Sequence, residues 1–513
     1  MQYGRLRGLQ PPRPTLTRSI SKFQSAGRPN RPASCWVLCR TSSQLAAVVR
    51  LPPESQAMTL RPAYSARFRC IGSACEDTCC QGWSVPIDEA THQRYHALPM
   101  SPLRTLIVEN LVRIEAATEK PSSSPPVFAK IKMDSANQCP LLSADCLCRI
   151  QTAYGEALLS HTCATYPRIV SIIDGVEERA LTLSCPEAAR LVLLDPALLD
   201  PVLLDAHAFA PIESAPAESA QPAAASPASP LDGWFHPLRR HAIALIRNRR
   251  YPLWQRLFLL SIFCRRIDSL NAPDPAAQQD LPLALPVFLS EFASTVAAGS
   301  LHTAMEALPV DRQTQLDAVL RLAGMMLHRS NVRPRFVECV QAFTAGIGNG
   351  SGATLESLTT QYALAHDRYF EPFFARHPHM LENYLVNTLF RCRFPLGRES
   401  ARPPSLSTEF TRLSAQFALI KGLLIGVAGF HREAFSSEHV IHTVQAASKH
   451  FDHHPEFLSL AHTLLVESQL DGARGTAILQ RNSDPVAPRP PTQSFPLPVF
   501  PGAATTAGSG WPA

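Results

Sequence analysis

Residues 1–57 hold a single acid, Glu54, against nine arginines and lysines, so this leader carries a formal charge of +8. The whole chain stands at +6, which leaves the remainder slightly acidic at −2. A distributed basic surface is therefore missing, and with it the main support for a nucleic-acid partner. Also missing is an unbroken apolar run of the ~20 residues that span a bilayer. The best stretch, Phe417–Phe430, is short and carries Lys421, so no transmembrane segment is expected and the chain reads as a cytoplasmic protein. Strand-like alternation is scarce. A glycine-rich stretch, GIGNGSG at 346–352, lacks the preceding β-run of a nucleotide loop and reads as a connection between helices.

What is present begins with length and organisation. The 513 residues, 45% of them hydrophobic, suffice for more than one domain and a sizeable core. The basic leader, rich in Arg, Ser and Pro, has the composition of an organellar transit peptide; the reading preferred over that one is sequence upstream of a natural start at Met58. A Cys-rich segment is placed at 58–203. The low-complexity stretch PIESAPAESAQPAAASPASP puts a Pro/Ala-rich linker at 204–232. From 233 to 472 apolar residues recur at helical spacing: across Trp234–Leu270, punctuated by Pro237 and Pro252, and over Leu285–Ala298, Leu316–Leu327, Leu381–Phe390, Leu413–Val427 and Phe457–Leu470. The tail, 473–513, reads as disordered. The fold class expected is mainly α, a Cys-rich metal or iron-sulfur N-terminal domain followed by a helical C-terminal domain.

Nine of the fourteen cysteines fall between Cys70 and Cys185: Cys70, Cys75, Cys79, Cys80, Cys139, Cys146, Cys148, Cys163 and Cys185. Short loops let thiolates converge on one ion or cluster, and in a reducing compartment such a group reads as ligands rather than disulfides. Four sulfurs suffice for zinc or for a [4Fe-4S] cluster, and the spacing leaves both open. The CxxxCxxC signature of radical-SAM enzymes is absent, because Cys80 follows Cys79 directly. Trp83 and Arg168, each beside a cysteine block, are placed to shape the surroundings of such a centre. Cys264, Cys339 and Cys392 stand alone in helical stretches and read as small apolar core residues.

Three segments in order, FRCIGSACEDTCCQGWSVPID (68–88), CPLLSADCLCRIQTAYGEALLSHTCATYPRI (139–169) and YFEPFFARHPHMLENYLVNTLFRCRFP (369–395), together resemble the flagellin lysine-N-methylase family, FliB. The first two also resemble small cysteine-rich zinc- or iron-chelating proteins. The resemblance covers about residues 60–470. It implies a bacterial cytosolic protein-lysine N-methyltransferase that passes methyl groups from S-adenosyl-L-methionine (SAM) to flagellin and carries an iron-sulfur cluster. The glycine-rich SAM loop of the usual α/β methyltransferases is not visible. A competing reading is a non-enzymatic zinc- or iron-binding interaction protein.

A lysine amine must be neutral and aligned to accept a methyl group, which desolvation, a base or an aromatic slot can provide. Candidate residues are Glu382, Asn383, Tyr384 and Asn387, of which Asn383 and Asn387 share a helix face at i, i+4. Tyr369, Phe370, Phe373 and Phe374 could wall a pocket for a cation. His377 and His379 form an HxH pair of weak meaning.

Overall fold

A computed structural model describes residues 59–60, 63–114, 127–173, 176–198, 231, 233–271, 275–328, 332–350, 352–395, 397, 405–453 and 455–483. The leader, nearly all of the linker and the tail beyond 483 lie outside these residues.

The Cys-rich part alternates short elements: β1 (Thr59–Leu60), α1 (Ala63–Arg67), β2 (Pro86–Ile87), α2 (Glu89–His96), α3 (Pro102–Glu109), β3 (Leu111–Arg113) and β4 (Ala129–Ile131). These are followed by α4 (Arg149–Tyr154), α5 (His161–Thr165), β5 (Arg168–Ile173), β6 (Val176–Leu181) and α6 (Pro186–Leu193). Strands β2, β4 and β3 make a small antiparallel sheet; β5 and β6 form a hairpin, with β1 parallel to β6. Asp88 and Ser101 cap α2 and α3 by accepting from the backbone N–H three residues on.

Beyond this the chain is helical: α7 (Phe235–Arg247), α8 (Leu253–Leu270), α9 (Pro275–Ala298), α10 (His302–Glu306), α11 (Arg312–Leu327), α12 (Pro334–Gly346) and α13 (Leu355–Ala365). A π-helical turn, His366–Phe370, leads into α14 (Glu371–Arg376), then α15 (His379–Arg391), α16 (Leu406–His431), α17 (Ser437–His453), α18 (Pro455–Glu467) and α19 (Ala473–Gln480). The mainly α expectation holds, and all the strands among the described residues precede Thr182. Pro252 separates α7 from α8, so the pattern across Trp234–Leu270 is two helices. Of the GIGNGSG stretch, Gly346 ends α12 and residues 347–350 make the turn and loop that follow it.

Two boundaries are corrected. The described residues belong to one compact unit, 56–513, and the large helical core includes Tyr64, Phe68, Leu181, Leu183, Ala188 and Val192. Only a small second core, with Val85, Ile87, Tyr95, Ile131 and Ile150 among its members, is built within the Cys-rich segment. The physical reason is that α6 and β6 have too little of their own to bury against, so they close onto α15, α7 and α17. The tail also starts later than expected: α19 buries Ala477 and Leu479, and Arg481 and Asn482 follow it into the interior.

Helix α16 is apolar on nearly all sides. Its start is fixed by Ser405, whose hydroxyl accepts from Thr408 N, and by Asp268 of α8, whose carboxylate oxygens accept from Leu406 N and Ser407 N, both at 2.8 Å. Among the described residues, two segments are long and apolar enough to cross a membrane by length and composition, Asp280–Ala298 and Leu406–Ala434, against the expectation of none; the second is 89% buried inside the protein, as befits a core helix.

α12 crosses α16 at backbone contact. A Cβ on Gly346 would sit 1.8 Å from Gly426 O, and one on Gly426 would sit 2.4 Å from the Phe343 ring and 2.7 Å from Phe343 O. These glycines are required by close approach. Gly426→Ala is expected to lower stability by about 1–3 kcal/mol through overpacking, read as a lower urea midpoint at unchanged m-value. An unchanged midpoint would mean that the crossing relaxes freely.

Candidate active site and cysteine centre

The loop Cys75–Gly82 is pinned by hydrogen bonds to the 137–139 segment: Gly82 N donates to Asn137 O at 2.7 Å and Cys139 N to Cys80 O at 2.8 Å. Cys148 and Cys185 occupy the N-cap positions of α4 and α6, and Cys163 lies in the first turn of α5, its N–H donating to Ser160. This folding brings Cys75, Cys79, Cys80, Cys139, Cys148, Cys163 and Cys185 into one neighbourhood. Cys79 is pushed up first by its hydrogen bond with Cys80 and then by burial. Burial pushes Cys163 up to about 12, with Cys148, Cys79 and Cys139 adding to it. Cys139 rises to about 11, mainly by burial, with help from Cys148 and Cys79. Cys185 rises to about 12 for the same first reason, with Cys75 and Cys79 behind it.

Cys70 and Cys146 are exposed, and no described thiol interaction joins them to this group. Cys264 and Cys339 are buried in the helical core, where they act as small apolar residues. Among the described residues no three His, Cys, Asp or Glu side chains converge at ligating distance. Thiol donors are of the kind that suit a thiophilic metal or cluster, and seven of them share this neighbourhood without a formed coordination sphere. The raised thiols are what burial without a cation demands, and a bound cation reverses that preference.

Residues from the helical part hold this loop. Lys449 Nζ pairs with Asp77 Oδ1 at 2.8 Å and donates to Thr78 O at 3.0 Å. Gln445 donates to Asp77 Oδ2 at 2.6 Å and to Ser184 O at 2.9 Å, which ties the loop to the start of α6. Arg333 donates to Gln81 O, and its guanidinium occupies the place a Cβ on Gly82 would take. Trp83 donates to Cys79 O at 2.5 Å and packs on Tyr166, in keeping with a place beside the cysteines. Arg168 instead lies over the Phe68 ring at 5.0 Å.

A second site is a cavity of about 240 Å³. Its walls are the α7–α8 connection with Arg249, the start of α8 with Trp254, the π-helical turn with His366 and Phe370, α14 with Glu371 and Phe374, and α16 with Phe417 and Lys421. Residues 480–483 close one side, where Lys421 Nζ donates to Gln480 O and Asn482 Oδ1. Burial holds Lys421 down at about 7, against a pull from Glu371. His366, stacked on Phe370, is held down at about 4, again chiefly by burial.

None of the candidate residues Glu382, Asn383, Tyr384 and Asn387 lines this cavity, and all four are buried. Asn383 donates to Val192 O and Asp195 O, both at 2.9 Å, binding α15 to the end of α6. Asn387 donates to Leu181 O at 3.0 Å and accepts from Tyr64 at 2.6 Å. Tyr384 stacks on Phe417. Glu382, its side chain 2% exposed, receives Arg249 through both oxygens and Arg256 at 2.8 Å; it orients the guanidiniums of the wall. Of the four aromatics, Phe370 and Phe374 face the cavity, whereas Phe373 packs on Phe435. His377 Nδ1 donates to Phe373 O at 3.0 Å, and its ring lies 6.2 Å from the His379 ring.

The family model described as the FliB lysine N-methylase C-terminal domain matches residues 239–479. The flagellar biosynthetic protein FliU of Salmonella muenchen is 37% identical over 136 residues, which are 26% of this chain and 76% of that protein. The chain belongs to the FliB lysine N-methylase family. Lysine-N-methylases of Salmonella typhimurium and Salmonella choleraesuis are 37% and 36% identical over 136 residues. The chain spans about a third of the length of these two, 32% in each case. No solved structure matches the chain. The FliB C-terminal match runs from α7 to α19 and so takes in most of the cavity wall, while all nine clustered cysteines precede it.

Two outcomes follow from the buried charges of this FliB-family chain. Lys449→Met leaves Asp77 without its cation among buried neighbours and is expected to cost about 3–5 kcal/mol, measured by urea unfolding; a cost near zero would show the pair to be solvated. Lys421 and His366 both have folded pKa values below their ordinary 10.5 and 6.5. The unfolded chain therefore binds more protons between about 7 and 10.5 and between about 4 and 6.5, so stability rises with pH through both windows. Lys421→Met is expected to flatten the upper rise, and a retained slope would assign it to another group.

Proposed function

We propose that the protein is a SAM-dependent protein-lysine N-methyltransferase acting on flagellin in the bacterial cytoplasm, with an iron-sulfur centre held by cysteines drawn from Cys75, Cys79, Cys80, Cys139, Cys148, Cys163 and Cys185. The observation that carries this reading is the FliB lysine N-methylase match over α7–α19. The names of the relatives point to lysine methylation and to the flagellum. In the net reaction a methyl group passes from the donor sulfur to a lysine Nε, the amine loses one proton, and S-adenosylhomocysteine leaves.

The chain's own residues are suited to parts of this task. Phe370, Phe374 and Trp254 supply aromatic faces that attract a cation and keep water away. The Lys449–Asp77 pair and Arg333 hold the cysteine loop against the helical part. When bound, an iron-sulfur centre supplies one-electron or Lewis-acid chemistry.

The test is methyl transfer. Full-length protein, kept anaerobic, is incubated with methyl-labelled SAM and purified flagellin, and the products are mapped by mass spectrometry. Label on flagellin lysine side chains is the expected result. Absence of label on flagellin, with SAM bound and the protein folded, would reject flagellin as the acceptor.

A further inference from the structure

We propose that the cavity seats the side chain of the acceptor lysine, its amine held between His366 Nε2 and the Glu371 carboxylate with Phe370 and Phe374 alongside. The inference rests on the methyltransferase reading and adds where the methyl acceptor is recognised.

The first observation is a fixed tautomer. Arg312 of α11 grips the Asp367 carboxylate through two guanidinium nitrogens, each at 3.1 Å, and a carboxylate so paired can only accept. His366 Nδ1 lies 2.8 Å from Asp367 Oδ1. It therefore carries the ring proton, which leaves Nε2 with its lone pair. The ring is 2% exposed, and burial holds it down at about 4, so it stays neutral near pH 7.

The second observation is what Nε2 faces. Glu371 Oε2 is 3.8 Å away, beyond hydrogen-bonding reach, and among the described residues no donor joins Nε2. Two acceptors thus face each other across a gap, and both residues line the cavity. A buried acceptor without a donor is costly. An ammonium has enough N–H groups to satisfy both at once, whereas a carboxylate or carbonyl would only add a third acceptor.

The third observation is how the backbone brings these groups together. His366 and Glu371 are five residues apart, a spacing that does not share a face on a regular α-helix. Here Glu371 N donates to His366 O, the i→i+5 closure of a π-helical turn, a distortion found frequently at functional sites. The same turn carries Phe370, whose ring centroid lies 5.4 Å from that of His366 and 4.4 Å from that of Phe374. Such faces suit both the methylene stem and the charge of a lysine. The amine already in the cavity, Lys421 of α16, is turned to Gln480 O and Asn482 Oδ1. Burial holds it down at about 7, so above that pH it opposes a second cation only weakly.

The experiment is saturation-transfer NMR on the full-length protein, kept anaerobic at pH 8, with two probes: Nα-acetyl-lysine methylamide and its norleucine counterpart, which lacks the amine. The wild type is compared with His366→Phe, which keeps an aromatic ring beside Phe370, and with Glu371→Gln, whose side chain is 50% exposed. Thermal melts check the fold, and should His366→Phe fail to fold, Glu371→Gln alone decides. The expected result is a wild-type preference for the lysine probe of about tenfold or more that collapses in each folded variant. Equal binding of the two probes to the wild type, or a preference retained in a folded variant, would overturn the inference. Methyl transfer to flagellin is assayed alongside. Transfer by a wild type without the lysine preference overturns this inference alone; a preference that maps to these residues, with no transfer to any protein lysine, overturns the methyltransferase reading and the acceptor role with it.

Discussion

Helix α16 has almost no face that water can wet, and the rest of the fold is arranged to cover it. It is packed by α8, α11, α12, α13, α17, α18, α19 and the π-helical turn. Covering a helix all round means that some neighbours must come very close, which is why Gly346 and Gly426 meet without side chains between them. It also means that α12 and α17, once seated on α16, present their remaining faces to the Cys-rich segment. Lys449, Gln445 and Arg333 are on those faces, and the loop Cys75–Gly82 is what they hold. The burial demanded by one apolar helix thus extends to the position of the cysteine loop.

The cavity has a related origin. Lys421 is the lone charged residue between Arg412 and His431 on α16, and it needs oxygen partners inside a largely apolar surround. The chain supplies them from residues just after α19, at Gln480 and Asn482. Close by, the π-helical turn and α14 deliver Phe370 and Phe374 and leave a space that the aromatic rings do not fill. Polar requirements within the helical core, more than apolar packing, shape this space.

Much of this organisation was legible in the sequence. Helices with a clean apolar rhythm, such as α8, α11 and α16, were found, as was the break at Pro252. The grouping of cysteines followed from their density. Helix α17 escaped because its inward face carries Gln445, Ser448, Lys449 and His450, polar residues that dilute the hydrophobic period, two of which, Gln445 and Lys449, hold the cysteine loop. Helix α19 was assigned to a tail for a similar reason: Arg481 and Asn482 read as solvated residues until their buried partners are known. The candidate residues on α15 illustrate the same difficulty from the other side. Asn383 and Asn387 do share a face, but that face meets backbone carbonyls of α6 and β6, contacts across about two hundred residues that no local spacing reveals. Arg249 and Lys421, which line the cavity, carry no motif.

What joins the helical part to the Cys-rich part is a set of long-range polar contacts onto one short loop, and the functional account gives that loop an iron-sulfur centre. The most direct measurement is therefore the metal itself: iron, acid-labile sulfide and zinc quantified on one anaerobically purified sample of the full chain. The account expects iron and sulfide in near-equal amounts, lost together when Cys79 and Cys163 are replaced by serine. Stoichiometric zinc without sulfide, persisting after anaerobic reconstitution, would contradict it and make the cysteines a structural zinc site.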